Sequence, residues 1–234
     1  IDGRLQVLNT IQHNLGIVDG NGTIALIEGQ LPGGRFDDFL TTTGGAVEYT
    51  GPGDYQASVN IFAVRKLVFS GTGIITLPLI STTIGDSLIF ESGIVDNTVN
   101  DISFDLQGDL EIFTGATFQS GDGGINLIGS DDSEIRGDFD GVNALGQLTI
   151  NKTGSADVNM ILPDLPLTES VLEVVNSISF TNGNIVTNGN KFLMQANTTI
   201  TDGPSDDSHV EGKACKVMSN NTTFGFPIGD NGIY

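Results

Sequence analysis

Gly44-Gly45-Ala46-Val47-Glu48-Tyr49-Thr50-Gly51, followed after a gap by Lys66-Leu67-Val68-Phe69-Ser70-Gly71-Thr72-Gly73, is a pair of phrases that the chain repeats. About eighty residues later Gly123-Gly124-Ile125-Asn126-Leu127-Ile128-Gly129 leads to Gln147-Leu148-Thr149-Ile150-Asn151-Lys152-Thr153-Gly154. A shorter echo, Gly22-Thr23-Ile24-Ala25-Leu26-Ile27-Glu28-Gly29, stands near the start. Each phrase is a short alternating strand closed by glycine. Units of this kind cannot bury their apolar faces alone and must stack on copies of themselves. The repeat therefore predicts an all-β chain, a parallel β-helix or β-solenoid.

The rest of the chain reads the same way. Ser87-Leu88-Ile89-Phe90, Ile102-Ser103-Phe104-Asp105-Leu106, Asp109-Leu110-Glu111-Ile112-Phe113 and Ser177-Ile178-Ser179-Phe180 alternate, with Gly85, Gly93, Gly108, Gly115 and Asn182-Gly183 between them. Helical periodicity is nearly absent. Leu167 to Val175, the one candidate, is rich in β-branched residues and follows Pro163 and Pro166, which favours a strand. A coil of twenty-odd residues gives roughly ten rungs, and at about 4.8 Å per rung a rod near 50 Å long. Val68, Phe69, Leu88, Phe90, Leu110, Ile112, Leu148 and Ile150 are the expected core, with Thr149 facing out. Residues 1–200 are read as rungs, and 201–234 as a C-terminal cap or transition leading to a further domain.

Composition bounds the function. Of 234 residues, 32 are glycine, and 29 acidic against 9 basic side chains give a net charge of -20. Such a field repels phosphate backbones and anionic membrane surfaces, which disfavours nucleic acid as a partner. Cys215 is the only cysteine, so no intrachain disulfide can form, and it reads as a small apolar strand residue. The longest apolar stretches, such as Ile74 to Ile80, are too short to span a bilayer. Starting at Ile1, the chain reads as a piece of something longer.

The last stretch carries a resemblance. Val210, Gly212, Lys216, Phe224, Phe226-Pro227-Ile228-Gly229, Gly232 and Tyr234 match a phrase similar to one in large secreted surface proteins of the Bacteroidota. In those proteins a parallel β-helix ends in a V-x-G-x-x-x-[KR] strand, followed by TFPIG-x-x-G-x-Y. Leu148 to Gly154 and Phe180 to Thr187 resemble the same family's rungs. The resemblance implies export by the type IX secretion system, an extracellular place at the outer membrane, and partners among the secretion and anchoring machinery. It also implies adhesin-like or gliding-motility-adhesin-like roles, with a downstream sorting domain.

Several constellations bear on chemistry. Ten acidic residues lie between Asp101 and Asp140, opposed only by Arg136. Asp131, Asp132 and Asp138 would be the first ligands of a calcium site, since calcium takes six to eight oxygens; a solvated acidic face accounts for the same charges. No other metal and no cofactor is expected. A glycosidase needs two carboxylates across a sugar groove, but the chain has no Trp and three Tyr to build one. His13 and His209 sit in no triad or zinc pattern and are expected on turns or the surface. The threonine pairs Thr82-Thr83 and Thr198-Thr199 put their members on opposite faces, which argues against an ice-binding array. Asp86-Ser87-Leu88 resembles an O-glycosylation acceptor of Bacteroidota exports.

The expectation is a non-catalytic stalk or adhesive shaft of a large exported surface protein. A glycan-binding or carbohydrate-active module on the same fold is the alternative.

Overall fold

A computed structural model gives the fold and describes residues 2–8, 14–161, 169–219 and 223–230. Its strands are short, and every pairing between them is parallel apart from an isolated Ser205–Ser208 bridge. The only helical piece among the described residues is a single 3-10 turn, Gly141–Asn143. The chain is a parallel β-solenoid.

One ladder runs the whole length. Arg4–Val7 pairs with Thr23–Leu26, which pairs with Ala46–Tyr49, then with the second halves of Ala63–Phe69 and Thr83–Phe90. Asp109–Ile112, Ser133–Arg136, Val158–Ile161, Ile185–Val186, Val210–Glu211 and Ile228–Gly229 continue it. Eleven strands in line make ten turns. A turn takes from 18 residues (Val210 to Ile228) to 27 (Val158 to Ile185). Pairing thus runs past residue 200, and residues 210–229 add rungs of short strands.

Two further ladders complete most of the turns. The second joins Tyr55–Gln56, Ile74–Thr76, Gly93–Asp96 and Ala116–Gln119, and near the C-terminus Val171–Val174, Lys191–Met194 and Ala214–Lys216. In the third, Ser103–Leu106 pairs with Gly124–Leu127, which pairs with Gln147–Ile150, Ser177–Phe180 and Thr199–Ile200. The repeated phrases therefore occupy different faces. Ala46–Tyr49 and Lys66–Phe69 are neighbours in the first ladder, whereas Gly124–Gly129 and Gln147–Lys152 are neighbours in the third. Each phrase matches the one it stacks on, and the separation of about eighty residues is not itself a structural period.

Alternation sets what is inside. Leu148 and Ile150 are buried and Thr149 is outward, aligned with Asn126 and Ser179. Phe69, Leu88, Phe90, Leu110 and Ile112 are buried as expected. Val68 is the exception. Leu67 and Phe69 point inward, so Val68 points outward, in register with Glu48 and Ile89, and it is shielded there rather than in the core. Rungs stacked in register bring like side chains over like. Tyr49 stacks on Phe69 at 5.3 Å between centroids, Phe69 on Phe90 at 5.6 Å, and Phe90 on Phe118 at 4.5 Å.

Glycine does two jobs at the corners. Gly93 has φ +72°, the left-handed geometry expected of a turn. Gly51 and Gly71 have no such φ; a Cβ on Gly51 would lie 1.8 Å from the Ile27 carbonyl oxygen, and one on Gly71 2.4 Å from that of Gly51. There the side chain is excluded by the rung beneath.

Candidate functional site

The acidic residues are built into the ladders. Asp132 lies one position before Ser133, level with Asp157 in the next turn, which is level with Asn184 and then His209. Each hands a side-chain oxygen to the next turn's backbone. Asp132 Oδ1 accepts from the Asp157 amide at 2.8 Å, Asp157 Oδ1 from the Asn184 amide at 3.1 Å, and Asn184 Oδ1 from the His209 amide at 3.1 Å. Asp109 Oδ1 accepts from the Glu134 amide at 2.8 Å, and Asp138 Oδ1 from the Val171 amide at 3.0 Å. At the strand entrances the next turn's amide has no ladder carbonyl to meet, and an Asx side chain supplies the acceptor.

Of the calcium candidates, Asp132 and Asp138 hold backbone amides and Asp131 is exposed. Among the described residues no group of three or more His, Cys, Asp or Glu side chains could hold a metal ion. We expect chelator to leave the melting temperature unchanged. A fall of many degrees, reversed by calcium and not by magnesium, would overturn that.

Burying these carboxylates has a price in charge. Burial raises the pKa of Asp109, Glu111, Asp140 and Asp157 above the ordinary carboxylate range. Glu48 goes the other way: burial pushes it up, but hydrogen bonds from Arg4 and Ser70 outweigh that. A carboxyl with a raised folded pKa binds its proton earlier in the folded state, so stability increases as pH falls from that pKa toward the unfolded value. Four raised carboxyls against two lowered, Glu48 and the Glu169 that Lys213 holds by a hydrogen bond, in a chain of net charge -20, predict a melting temperature that rises from pH 7 into mild acid. A flat or falling profile in calorimetry over that range would contradict it.

Two lysines also serve the backbone. Lys152 is fully buried, and its Nζ donates to the carbonyls of Gln107 at 3.0 Å and Ile128 at 2.7 Å and to Ser133 Oγ at 2.9 Å. The ammonium ties three turns together through acceptors the ladders leave over. Its position in Leu148 to Gly154 gave no sign of this, because lysine is ordinarily a surface residue.

At the C-terminal end, residues of the quoted phrase meet. Lys216 Nζ donates to the carbonyls of Gln195 at 2.7 Å and Thr198 at 2.8 Å and lies 4.8 Å from the centre of the Phe224 ring. Phe224 meets Phe226 edge to face at 5.3 Å. Val210 is buried in the first ladder between Ile185 and Ile228. Gly212 has φ +110°, and a Cβ there would lie 2.2 Å from Thr187 Oγ1. These residues lock the last rungs. Gly232 and Tyr234 lie outside the described residues, as do His13, Pro163, Pro166 and Leu167.

His209 corrects its expected surface position. Its ring is fully buried, with Nδ1 3.0 Å from the Ser205 carbonyl oxygen and Nε2 3.7 Å from Glu211 Oε1. Its amide is the last one held in the column of Asx-to-amide bonds. Cys215 sits partly buried in Ala214–Lys216. Ser87 faces outward between Lys66 and Asp109 but is only 8% exposed, so its hydroxyl is poorly presented for glycosylation. Thr82 and Thr198 are buried while Thr83 and Thr199 are not, which splits each pair across the sheet.

Comparisons with protein-family models, with curated proteins and with solved structures find no match. No helix among the described residues is long and apolar enough to cross a membrane.

Proposed function

We propose that the chain is a non-catalytic shaft segment of a large exported surface protein, a stalk that holds binding modules away from the cell. One observation carries this reading: a single parallel ladder of eleven strands links every turn to the next, with rings stacked inside it. Ten turns at about 4.8 Å give a rod of roughly 50 Å. Its cross-links lie along the axis, in backbone ladders, Asx-to-amide bonds and the Lys152 clip. Such a rod resists bending, and rungs can add one by one to a chain that folds after export. The phrase from Val210 to Tyr234 supports the type IX route, an extracellular place at the outer membrane, and partners in that secretion and anchoring machinery.

The glycan-binding alternative draws on one feature, the outward residues of the third ladder. Gln147 and Thr149, then Ser177 and Ser179, then Thr199 form a face of hydroxyls and amides. A glycan array and a hydrolase screen on the chain separate the two. We expect no signal in either; saturable binding lost on Ser179→Ala would favour the glycan module.

A further inference from the structure

The second ladder is broken once near the N-terminus. Gly33–Arg35 pairs with Asn14–Ile17, and Tyr55–Gln56 pairs with Ile74–Thr76, but among the described residues no ladder joins the two. The turns touch just before the break, where Gln30 Nε2 donates to the Gln56 carbonyl at 3.2 Å. Beyond it they part, because the chain turns at Phe36, whose carbonyl accepts the amides of both Phe39 and Leu40. A groove of about 760 Å³ opens between them, lined by Leu31, Gly33 to Phe36, Leu40 and Phe62 among others.

Three features of this groove specify what fits it. All three residues of Gly33–Arg35 are exposed, so one side of a strand is left open, a template for another strand. Phe62 is 63% exposed on the wall, in a chain where most phenylalanines are buried. The corner that runs on from it carries exposed Val59, Leu79 and Val99, each four residues past the aligned Tyr55, Ile75 and Val95. In the next turn the equivalent position, four past Phe118, is Asp122, and the apolar stripe ends. It starts in the turn that borders the groove and covers that turn and the next two.

We propose that this break is a docking site for an extended peptide of a partner protein, with alternating apolar and basic residues. Its backbone would add a strand to the open side of Gly33–Arg35, and its apolar side chains would rest on Phe62 and Leu31. The basic residues answer the charge: the chain carries -20, and among the described residues that line the groove the one cation, Arg35, is already paired with Asp37 at 2.9 Å. A second copy would bring the same negative charge to the contact. This site goes beyond the shaft reading and does not depend on it.

The test uses the full chain and a fluorescein-labelled peptide of about nine residues alternating valine and lysine, within the usual strand length. The comparator is the same peptide N-methylated at alternate residues, equal in charge and unable to pair. Anisotropy at physiological ionic strength should show saturable binding. Both N-methylation and Phe62→Ser should weaken it by about tenfold or more, and hydrogen exchange should slow at Gly33–Arg35. Phe62 is exposed, so its replacement leaves the core untouched. Absence of binding, or equal binding of the N-methylated peptide, would overturn the proposal. Self-association that disappears in Phe62→Ser would overturn it too, by giving the groove to a second copy.

Discussion

Ile150→Asp is expected to lower the melting temperature by about 10 to 20 °C. Ile150 is fully buried in the third ladder, in register with Leu127 and Phe180. An aspartate there would place a carboxylate among hydrocarbon with no donor in line, costing about 4 to 5 kcal/mol. For a chain of this length each kcal/mol moves the midpoint by roughly 2 to 4 °C. The loss is a large part of the stability typical of a whole domain, about 5 to 15 kcal/mol. Thr149→Asp is the control. That side chain faces outward, and the change should stay within about 0.5 kcal/mol. If Ile150→Asp melts like the parent while Thr149→Asp does not, the register is inverted.

Phe90→Ala should follow closely, with a loss of about 3 to 5 kcal/mol. The ring lies between Phe69 at 5.6 Å and Phe118 at 4.5 Å, so its removal leaves a hole in the middle of the stack. Backbone ladders fix the rung spacing, and the flanking rings cannot close the gap. The ring contacts themselves add about 0.5 to 1.5 kcal/mol, which a cycle of Phe69→Ala and Phe90→Ala would isolate as coupling. Phe113, which is 47% exposed, provides the contrast, with an expected change inside about 0.5 kcal/mol. A Phe90→Ala loss below about 1 kcal/mol, or the absence of coupling to Phe69, would mean that the stack is not formed.

Much of this fold was legible before any coordinates. Alternation in Leu148-Thr149-Ile150 gave the inward and outward sides directly, because strand side chains alternate whatever the tertiary setting. The same rule, applied strictly, excludes Val68 from a core that already contains Phe69; counting apolar residues without their parity brought it in. Glycine marked the corners correctly but for two different reasons, and a close approach such as that of Gly51 to the Ile27 carbonyl depends on the turn beneath. His209 and Lys152 were beyond local reading. The lysine is held by partners in other turns, Gln107, Ile128 and Ser133. The histidine amide is held by Asn184 of the preceding turn, and its ring lies against Ser205 and Glu211 of its own turn, whose approach depends on the shape of that corner.

The acidic cluster shows the same division. Its charge and crowding were plain in Ser130 to Asp140, and two uses were open, a calcium site or a solvated face. Stacking in register produced a third, in which Asp132, Asp157 and Asn184 supply acceptors to the amides of the following turn.

By itself the sequence determined the parallel solenoid, the average length of its turn and the parity of its strands, because these follow from short-range periodicity and from repeats that must stack. Only the tertiary structure decided which phrase lies on which face, which polar groups are buried, and where the second ladder breaks. Those depend on the number of residues each corner takes up, from 18 to 27 in a turn, and that sum is settled by contacts between turns rather than by any one segment.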